Sequence, residues 1–189
     1  MFDIIKNIRK KLKTNHFTLG TWQQIPDPSI SEILGSIGYD WVAIDMEHGS
    51  ISTDRLPDLI RAITLGNSLP LVRVSESKPV YCKRALDAGA GGIILPMIND
   101  PDQLGKNIAS CYLPPKGKRG VGFSRGNLFG KNFEEYIEMK ERPLIVAQIE
   151  SKEAVDNLPE ILKVNGLDVL MVGPYDLSAS MGIPGKFKD

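Results

Sequence analysis

The sequence predicts an α/β fold organised on a parallel sheet. Apolar runs typical of buried strands begin near residues 17, 41, 69, 92, 144 and 168, and segments with helical periodicity lie between them. This alternation is typical of parallel sheets. Polar side chains follow several of the runs, as they do at the carboxyl ends of the strands in a TIM (β/α)₈ barrel. The pattern therefore favours such a barrel, with about six of its eight strands present.

An open doubly wound sheet is the alternative architecture. It would most naturally carry a Gly-rich turn after its first strand, whereas this chain reads Pro-Asp-Pro-Ser at 26–29. Parallel strands need cover on their faces and partners at their edges. The strands that complete the barrel are therefore expected from a longer chain or from a partner.

The elements of the first half follow from periodicity and from Gly and Pro boundaries. Residues 1–14 space Ile5, Ile8 and Leu12 on one face, which predicts an amphipathic helix packed under the domain rather than on a membrane. The next elements are predicted as a strand over 17–25, a helix over 29–37, a strand over 41–46, a helix over 54–65, a strand over 69–74, a helix over 79–88, a strand over 92–97 and a helix over 101–112.

A long loop separates these elements from the rest. Residues 113–131 are rich in Gly, Pro, Lys and Arg, which predicts an irregular segment with a solvated or subunit-contact surface. A short helix over 133–140 and a strand over 144–150 follow. Ser151 is predicted to cap the next helix and Pro159 to divide it, and the last strand covers 168–173. The chain is predicted to form one incomplete barrel domain.

Composition argues against several classes of function. Acidic and basic residues balance at 23 each, so no net charge attracts nucleic acid or an anionic membrane. Cys82 and Cys111 lack the spacing of a disulfide framework or a zinc site. No apolar run approaches ~20 residues, and the N-terminal segment does not resemble a secretory signal. The expected location is the cytoplasm.

Two carboxylates lie where neighbouring predicted strands end. Glu150 closes one strand and Asp176 follows the next. One helical segment separates these strands, so both acids are expected at the same edge of the sheet. Adjacent acids favour a cation between them, and oxygen ligands suit Mg²⁺ or Mn²⁺ better than structural zinc. The alternative is a pair of solvated acids at helix starts, where negative charge is favourable.

His48 and Arg73 are further candidates at strand ends. His48 suits a general base, with Asp45 and Glu47 close by in sequence. Arg73 lies in an apolar strand, where it needs an anionic partner: either a substrate group or a structural ion pair, for which Asp87 is one candidate. No predicted strand ends in lysine, so carbonyl chemistry here would depend on a metal rather than on an imine.

Six short motifs occur in a recognisable order. They read IDMEHG at 44–49, VRV at 72–74, LDAGA at 86–90, PPKGKRG at 114–120, QIE at 148–150 and GPYDLS at 173–178. Through them, residues 19–182 resemble the HpcH/HpaI family of metal-dependent pyruvate aldolases, which includes 4-hydroxy-2-oxoheptanedioate aldolase and 2-keto-3-deoxy-sugar-acid aldolases.

The resemblance implies a specific activity. Family members are (β/α)₈ barrels that reversibly cleave a 4-hydroxy-2-oxo acid to pyruvate and an aldehyde through a metal-stabilised enolate. A divalent ion (Mg²⁺, Mn²⁺ or Co²⁺) would be bound by Glu150 and Asp176. The family also implies dimer-based homo-oligomers that extend to hexamers, with the final helix of the barrel packed on a neighbouring subunit.

The resemblance also implies residue roles. Arg73 would hold the keto oxygen of pyruvate, and His48 would be the base, acting with Asp87 through a metal-bound water. Asp45 would orient His48, and Gln148 would line the metal site. The substrate-binding residues would be Arg73, Gln148, Gly173, Pro174 and Tyr175. Two other functions stay open: a related lyase that acts on a coenzyme A thioester, and an inactive or partner-completed barrel remnant.

Overall fold

Six parallel strands form one curled, half-barrel sheet in the computed structural model, which describes residues 1–138 and 142–188. The strands are β1 (Gly20–Gln23), β2 (Trp41–Asp45), β3 (Leu69–Arg73), β4 (Gly92–Leu95), β5 (Leu144–Ile149) and β6 (Val169–Val172). Each pairs with the strand that follows it in the chain. The predicted α/β alternation and parallel sheet are confirmed. Within the described residues β1 and β6 are the two edges of the sheet.

The helices connect these strands. They are α1 (Phe2–Lys13), α2 (Pro28–Ser36), α3 (Leu56–Leu65), α4 (Pro79–Asp87), α5 (Pro101–Cys111), α6 (Phe133–Ile137), α7 (Lys152–Asp156), α8 (Leu158–Ile161) and α9 (Pro174–Ser180). Ser151 caps α7 by accepting a hydrogen bond from Ala154 N, and Pro159 lies in the first turn of α8, as predicted. Within 1–138 and 142–188, no helix has both the length and the apolar character needed to cross a membrane.

Most predicted boundaries differ from the observed ones by one to three residues. The predicted first strand is longer than β1 because apolar side chains continue beyond the paired residues, and Phe17 and Leu19 are exposed. The loop predicted over 113–131 contains a 3₁₀ helix, Arg125–Gly130, that the sequence did not reveal. The buried side chain of Asn127 bonds three backbone groups there, a pattern without periodicity. The helix predicted over 133–140 ends at Ile137, and Lys140 lies outside the described residues.

The concave face of the sheet is apolar at its amino end. There Ala43, Leu71, Ile94 and Val146 pack with Ile5 and Ile8 of α1 in one buried cluster. The opposite face packs against the connecting helices in a larger cluster. Helix α1 thus covers the amino end of the concave face, as its spacing of apolar residues predicts.

Asp168, which precedes β6, anchors α1 to the sheet. Its carboxylate accepts hydrogen bonds from Arg9 Nε at 3.0 Å, from Arg142 Nη1 at 2.7 Å and from Ile145 N at 2.9 Å. Burial alone would raise the pKa of Asp168, but these hydrogen bonds outweigh it and lower the pKa below its ordinary value. The carboxylate is therefore ionised and tightly held at neutral pH.

Replacing Asp168 with Asn is expected to lower the free energy of unfolding at pH 7 by about 1–3 kcal/mol. Because the folded-state pKa is lowered, the contribution of the carboxylate is fully present above its ordinary pKa of about 3.9. It is lost as the pH falls through the lower folded-state value. Urea unfolding followed by circular dichroism at pH 7 and near pH 3 measures both differences. A wild-type advantage of equal size at both pH values would contradict this linkage.

Candidate active site

The concave face becomes polar toward the carboxyl ends of the strands. Residues two apart in a strand point to the same face. Asp45, Arg73 and Gln148 each lie one step above an apolar residue of the buried cluster, and Glu150 lies one step above Gln148. This polar rim contains Asp45, Arg73, Gln148 and Glu150. Four residues that the sequence singled out therefore share one edge of the sheet.

Asp45 and Arg73 form a buried, two-point ion pair across adjacent strands. Arg73 Nε donates to Asp45 Oδ1 at 2.9 Å and Arg73 Nη2 donates to Oδ2 at 2.7 Å. Gln24 Nε2 also donates to Oδ2, at 2.8 Å. Burial alone would raise the pKa of Asp45, but the hydrogen bonds from Arg73, Gln24 and the amide of His48 outweigh it and lower the pKa to about 2. The partner of Arg73 is thus Asp45. The alternative pair with Asp87 is wrong.

Arg73 keeps free donors toward the rim. A guanidinium has five N–H groups, and its other three make no hydrogen bond within 1–138 and 142–188. Glu47 Oε2 lies 3.1 Å from Arg73 Nη1, close enough to attract it but not aligned as a hydrogen bond. Trp22 covers one face of the guanidinium, 4.6 Å from Cζ to the ring centroid. These contacts orient Arg73, and its N–H groups without a hydrogen bond could donate to a substrate oxygen.

Glu47 is a half-buried acid that sequence reasoning treated only as a neighbour of His48. Burial raises the pKa of Glu47, and the charge of Glu150 adds to the rise, whereas Arg73 opposes it. The ends of β2 and β5 are therefore close enough for the charges of Glu47 and Glu150 to influence each other. Strand-end position could have identified Glu47, but Trp22 and Gln24 follow no polar pattern in the sequence.

His48 lies on the turn after β2, with an exposed ring. Asp45 Oδ1 accepts hydrogen bonds from the backbone amides of Glu47 at 3.1 Å and His48 at 3.2 Å. The imidazole itself makes no hydrogen bond to any described residue. Asp45 therefore fixes the backbone that carries His48 rather than the ring, and the ring is available to a ligand.

Glu150 is a buried carboxylate at the end of β5. Its side chain accepts hydrogen bonds from Met97 N, at 2.6 Å to Oε1, and from Gln148 Nε2, to Oε2. Gln148 Oε1 is buried and has no partner among the described residues. Asp176 lies in the first turn of α9 with its side chain exposed. Gly173 N donates to Ile149 O, so β6 brings the start of α9 beside Glu150.

The donors at this corner fit a hard divalent ion. Two carboxylates and an unpartnered amide oxygen are the ligand types that Mg²⁺ and Mn²⁺ prefer. No cluster of three or more His, Cys, Asp and Glu side chains suited to a metal lies within the described part of the chain. An ion here would therefore have two carboxylates of this chain, Glu150 and Asp176, and open positions for a substrate.

Gly173→Ala is expected to weaken metal binding by about tenfold or more, the loss typical when the surroundings of a ligand are disturbed. A Cβ at this position would lie 2.6 Å from Glu150 Oε2 and 3.0 Å from Glu150 Cβ. The φ angle of −97° accepts alanine and the carboxylate can move, but Glu150 Cβ must also shift slightly, so the free energy of unfolding should fall by about 1–3 kcal/mol.

Titration calorimetry with Mn²⁺, alongside urea unfolding, tests this expectation. Gly105→Ala is the matched control, because nothing lies within 4 Å of a Cβ added there. Unchanged Mn²⁺ affinity in Gly173→Ala would show that Glu150 does not hold the ion.

The remaining candidates are spread more widely. Tyr175 is exposed, and its ring packs edge-on against Phe187 at 5.0 Å. Pro174 is also exposed, beside it. Asp87 ends α4, near the start of β4, and pairs with Lys83 at 2.9 Å. Because α4 runs back from the carboxyl edge over ~13 Å, Asp87 lies at the opposite end of the sheet from His48 of the same chain.

Comparison with known proteins identifies the family of the chain. The model of the family "HpcH/HpaI aldolase/citrate lyase" matches residues 18–188. A 5-keto-4-deoxy-D-glucarate aldolase of Salmonella arizonae is 35% identical over 172 residues, which are 90% of this chain and 67% of the relative. A hydroxypyruvate/pyruvate aldolase of Roseobacter denitrificans is 33% identical over 184 residues, 96% of this chain and 72% of the relative.

Solved structures give the same result. The crystal structure of a family protein from Burkholderia cenocepacia superimposes with a TM-score of 0.89 at 34% identity, covering 96% of this chain and 74% of that one. The chain thus spans roughly two thirds to three quarters of each of these proteins. The family match over nearly all of its residues shows that the chain belongs to the HpcH/HpaI aldolase/citrate lyase family.

Proposed function

We propose that the protein is a class II aldolase that reversibly cleaves a 4-hydroxy-2-oxo acid to pyruvate and an aldehyde. The observation that carries this proposal is the shared polar rim. A buried carboxylate with an unpartnered amide oxygen beside it lies at the same edge of the sheet as an arginine that has three N–H groups without a hydrogen bond among the described residues. The activities named for the relatives from Salmonella and Roseobacter support the substrate class.

Glu150 and Asp176 would hold the divalent ion, with Gln148 Oε1 lining its site. The oxygen donors suit Mg²⁺, Mn²⁺ or Co²⁺. Such an ion supplies Lewis-acid polarisation of the keto and carboxylate oxygens of a 2-oxo acid. Gly173 contributes by leaving the carboxylate of Glu150 room to lie against the backbone.

Arg73 would stabilise the negative charge that develops on the keto oxygen during carbon–carbon cleavage. Its orientation is set before the substrate binds, because Asp45 holds two of its donors and Trp22 covers one face. A donor fixed in advance lowers the barrier because it does not need to reorganise as charge develops.

His48 would take the proton of the 4-hydroxyl group during cleavage and return it in the condensation direction. Proton transfer by a positioned side chain is worth typically ~10²–10⁴-fold in rate. Asp87 cannot join His48 of its own chain, because the two lie at opposite ends of the sheet. We therefore propose that Asp87 acts on His48 of a second copy, which requires a homo-oligomer.

The sheet would close into a TIM barrel through two further strand–helix units between β6 and β1. Both edges of the described sheet are parallel strands without an outer partner. The family protein from Burkholderia cenocepacia is also longer than this chain. The units would come from a longer polypeptide or from a second chain.

The activity is tested by pyruvate release from 4-hydroxy-2-oxoheptanedioate and 5-keto-4-deoxy-D-glucarate, with and without Mg²⁺ or Mn²⁺. We expect release with the ion, loss in excess chelator and recovery when the ion is returned. Release that persists in chelator would contradict the mechanism. Turnover restricted to malyl-coenzyme A would support the thioester lyase. A chain that melts without any metal-dependent shift and releases no pyruvate would support the inactive remnant.

A further inference from the structure

A cavity of about 300 Å³ lies at the end of the sheet opposite the candidate active site. Its wall combines the start of α1, the backbone before β4 and β5, and the segment from the 3₁₀ helix to α6. Most of the lining is apolar and includes Phe2, Ile5, Leu86 and Leu128. The volume is at the lower end of the range for small-molecule pockets, ~300–1,000 Å³.

Two arginines line this cavity, Arg119 and Arg125. The sequence placed both in a solvated or subunit-contact loop, but Arg119 is only 4% exposed and Arg125 is half-buried. Neither forms an ion pair within 1–138 and 142–188. Burying a guanidinium without an anion is costly, so each has an unmet need for negative charge.

The contacts of Arg119 leave one nitrogen unused. Its Nη2 donates to Tyr136 Oη and its Nη1 donates to Cys111 O at 3.4 Å, a long hydrogen bond. Its Nε is buried and has no hydrogen-bond partner among the described residues. Both acceptors are neutral. The Tyr136 ring, 5.3 Å from Arg119 Cζ, attracts the charge, but no carboxylate within 1–138 and 142–188 forms an ion pair with Arg119.

A backbone carbonyl positions the side chain of Arg125. Its Nη1 donates to Ala88 O at 2.9 Å. A Cβ added to Gly89 would lie only 2.1 Å from this nitrogen and would clash with it. Gly89 also has a φ of +99°, which favours glycine. Both the backbone conformation and the nearby guanidinium therefore disfavour a side chain at this position. Burial lowers the pKa of Arg125, and the charge of Arg61 lowers it further, while Asp58 opposes them. Asp58 itself pairs with Arg61 at the surface.

We propose that this cavity binds a small carboxylate with an apolar tail, bound by Arg119 and Arg125. Guanidinium groups match the two oxygens of a carboxylate, and the apolar wall suits a short hydrocarbon chain better than inorganic phosphate. Glu135 is the acid among the lining residues, and it is exposed at the rim rather than buried with the arginines. A bound carboxylate would connect α1 to the loop over 113–131.

Titration calorimetry of the intact protein with hexanoate in chelator tests the proposal without using the metal site. We expect saturable binding of one hexanoate per chain and at least about tenfold weaker binding of the uncharged hexan-1-ol, as for loss of a charged hydrogen bond. Arg125→Gln should weaken hexanoate binding by a similar factor. Arg84→Gln, an exposed arginine on α4 that does not line the cavity, should leave it unchanged.

Glu135→Arg covers the case in which Arg125→Gln does not fold. This exposed charge reversal should tighten hexanoate binding at least about threefold at low ionic strength. Glu150→Gln should have no effect, which separates this cavity from the metal site. The proposal is overturned if hexanoate does not bind, if hexan-1-ol binds equally well, if folded Arg125→Gln or Glu135→Arg keeps wild-type affinity, or if Glu150→Gln abolishes binding.

Discussion

Glu150→Gln is expected to reduce metal-dependent pyruvate release by at least about 10³-fold. A bound ion would contribute several kcal/mol by stabilising the negative charge of the transition state, and this contribution would be lost. The carboxylate is only 2% exposed and is held by Met97 N and Gln148. The amide keeps the shape of the side chain but removes the negative charge that would bind the ion. Steady-state kinetics at increasing Mn²⁺, together with calorimetry of Mn²⁺ binding, measures both losses.

Glu153→Gln is the matched control for this substitution. Glu153 is exposed on α7, three residues further along the chain, and undergoes the same chemical change. We expect wild-type turnover and Mn²⁺ affinity. Equal losses of turnover and Mn²⁺ affinity in the two variants would show that Glu150 is not a metal ligand. A Glu150→Gln protein that still binds Mn²⁺ with wild-type affinity would show the same.

Asp45→Ala is expected to lower the free energy of unfolding by about 3–5 kcal/mol, the usual cost of breaking a buried ion pair from one side. The side chain of Asp45 is fully buried, and that of Arg73 is 11% exposed. Alanine would leave Arg73 with the poorly aligned Glu47 and would remove the acceptor of Gln24 and of the two amides after β2. Urea unfolding at pH 7 measures the loss.

Asp58→Ala provides the comparison, because Asp58 pairs with Arg61 at the surface, where both side chains are about half exposed. Its cost should stay within ~1 kcal/mol. The pKa of Asp45 falls from 3.8 to about 2, so its contribution is present above about pH 4 and is lost as the pH falls toward 2. A cost for Asp45→Ala no larger than that for Asp58→Ala would contradict the importance of this pair.

Sequence periodicity was sufficient for the parallel α/β sheet because most strands are largely apolar runs with clear boundaries. Strand-end position then predicted Asp45, Arg73 and Glu150 on the rim. Gln148 was identified only through the family resemblance. The polar rim and the buried apolar cluster below it lie on the same face of the sheet, because residues two apart in a strand share a face.

Features that depend on three-dimensional contact were not predictable in this way. Trp22 and Gln24 act on the Asp45–Arg73 pair from a neighbouring strand, and nothing local in the sequence indicates it. Arg119 was placed in a solvated loop because lysines and glycines surround it in sequence, yet the fold buries it. Burial of a loop residue depends on what the loop packs against, which local composition does not contain.

The order of the strands has a consequence for how the protein folds as it is synthesised. Every strand pairs with the one translated immediately before it, so the sheet can grow at one edge as the chain emerges from the ribosome. The Asp45–Arg73 pair becomes available once β3 has joined β2. The Glu150 corner requires β5 and β6, which follow β3 along the chain. A nascent chain thus forms the Asp45–Arg73 pair before the corner that carries Glu150.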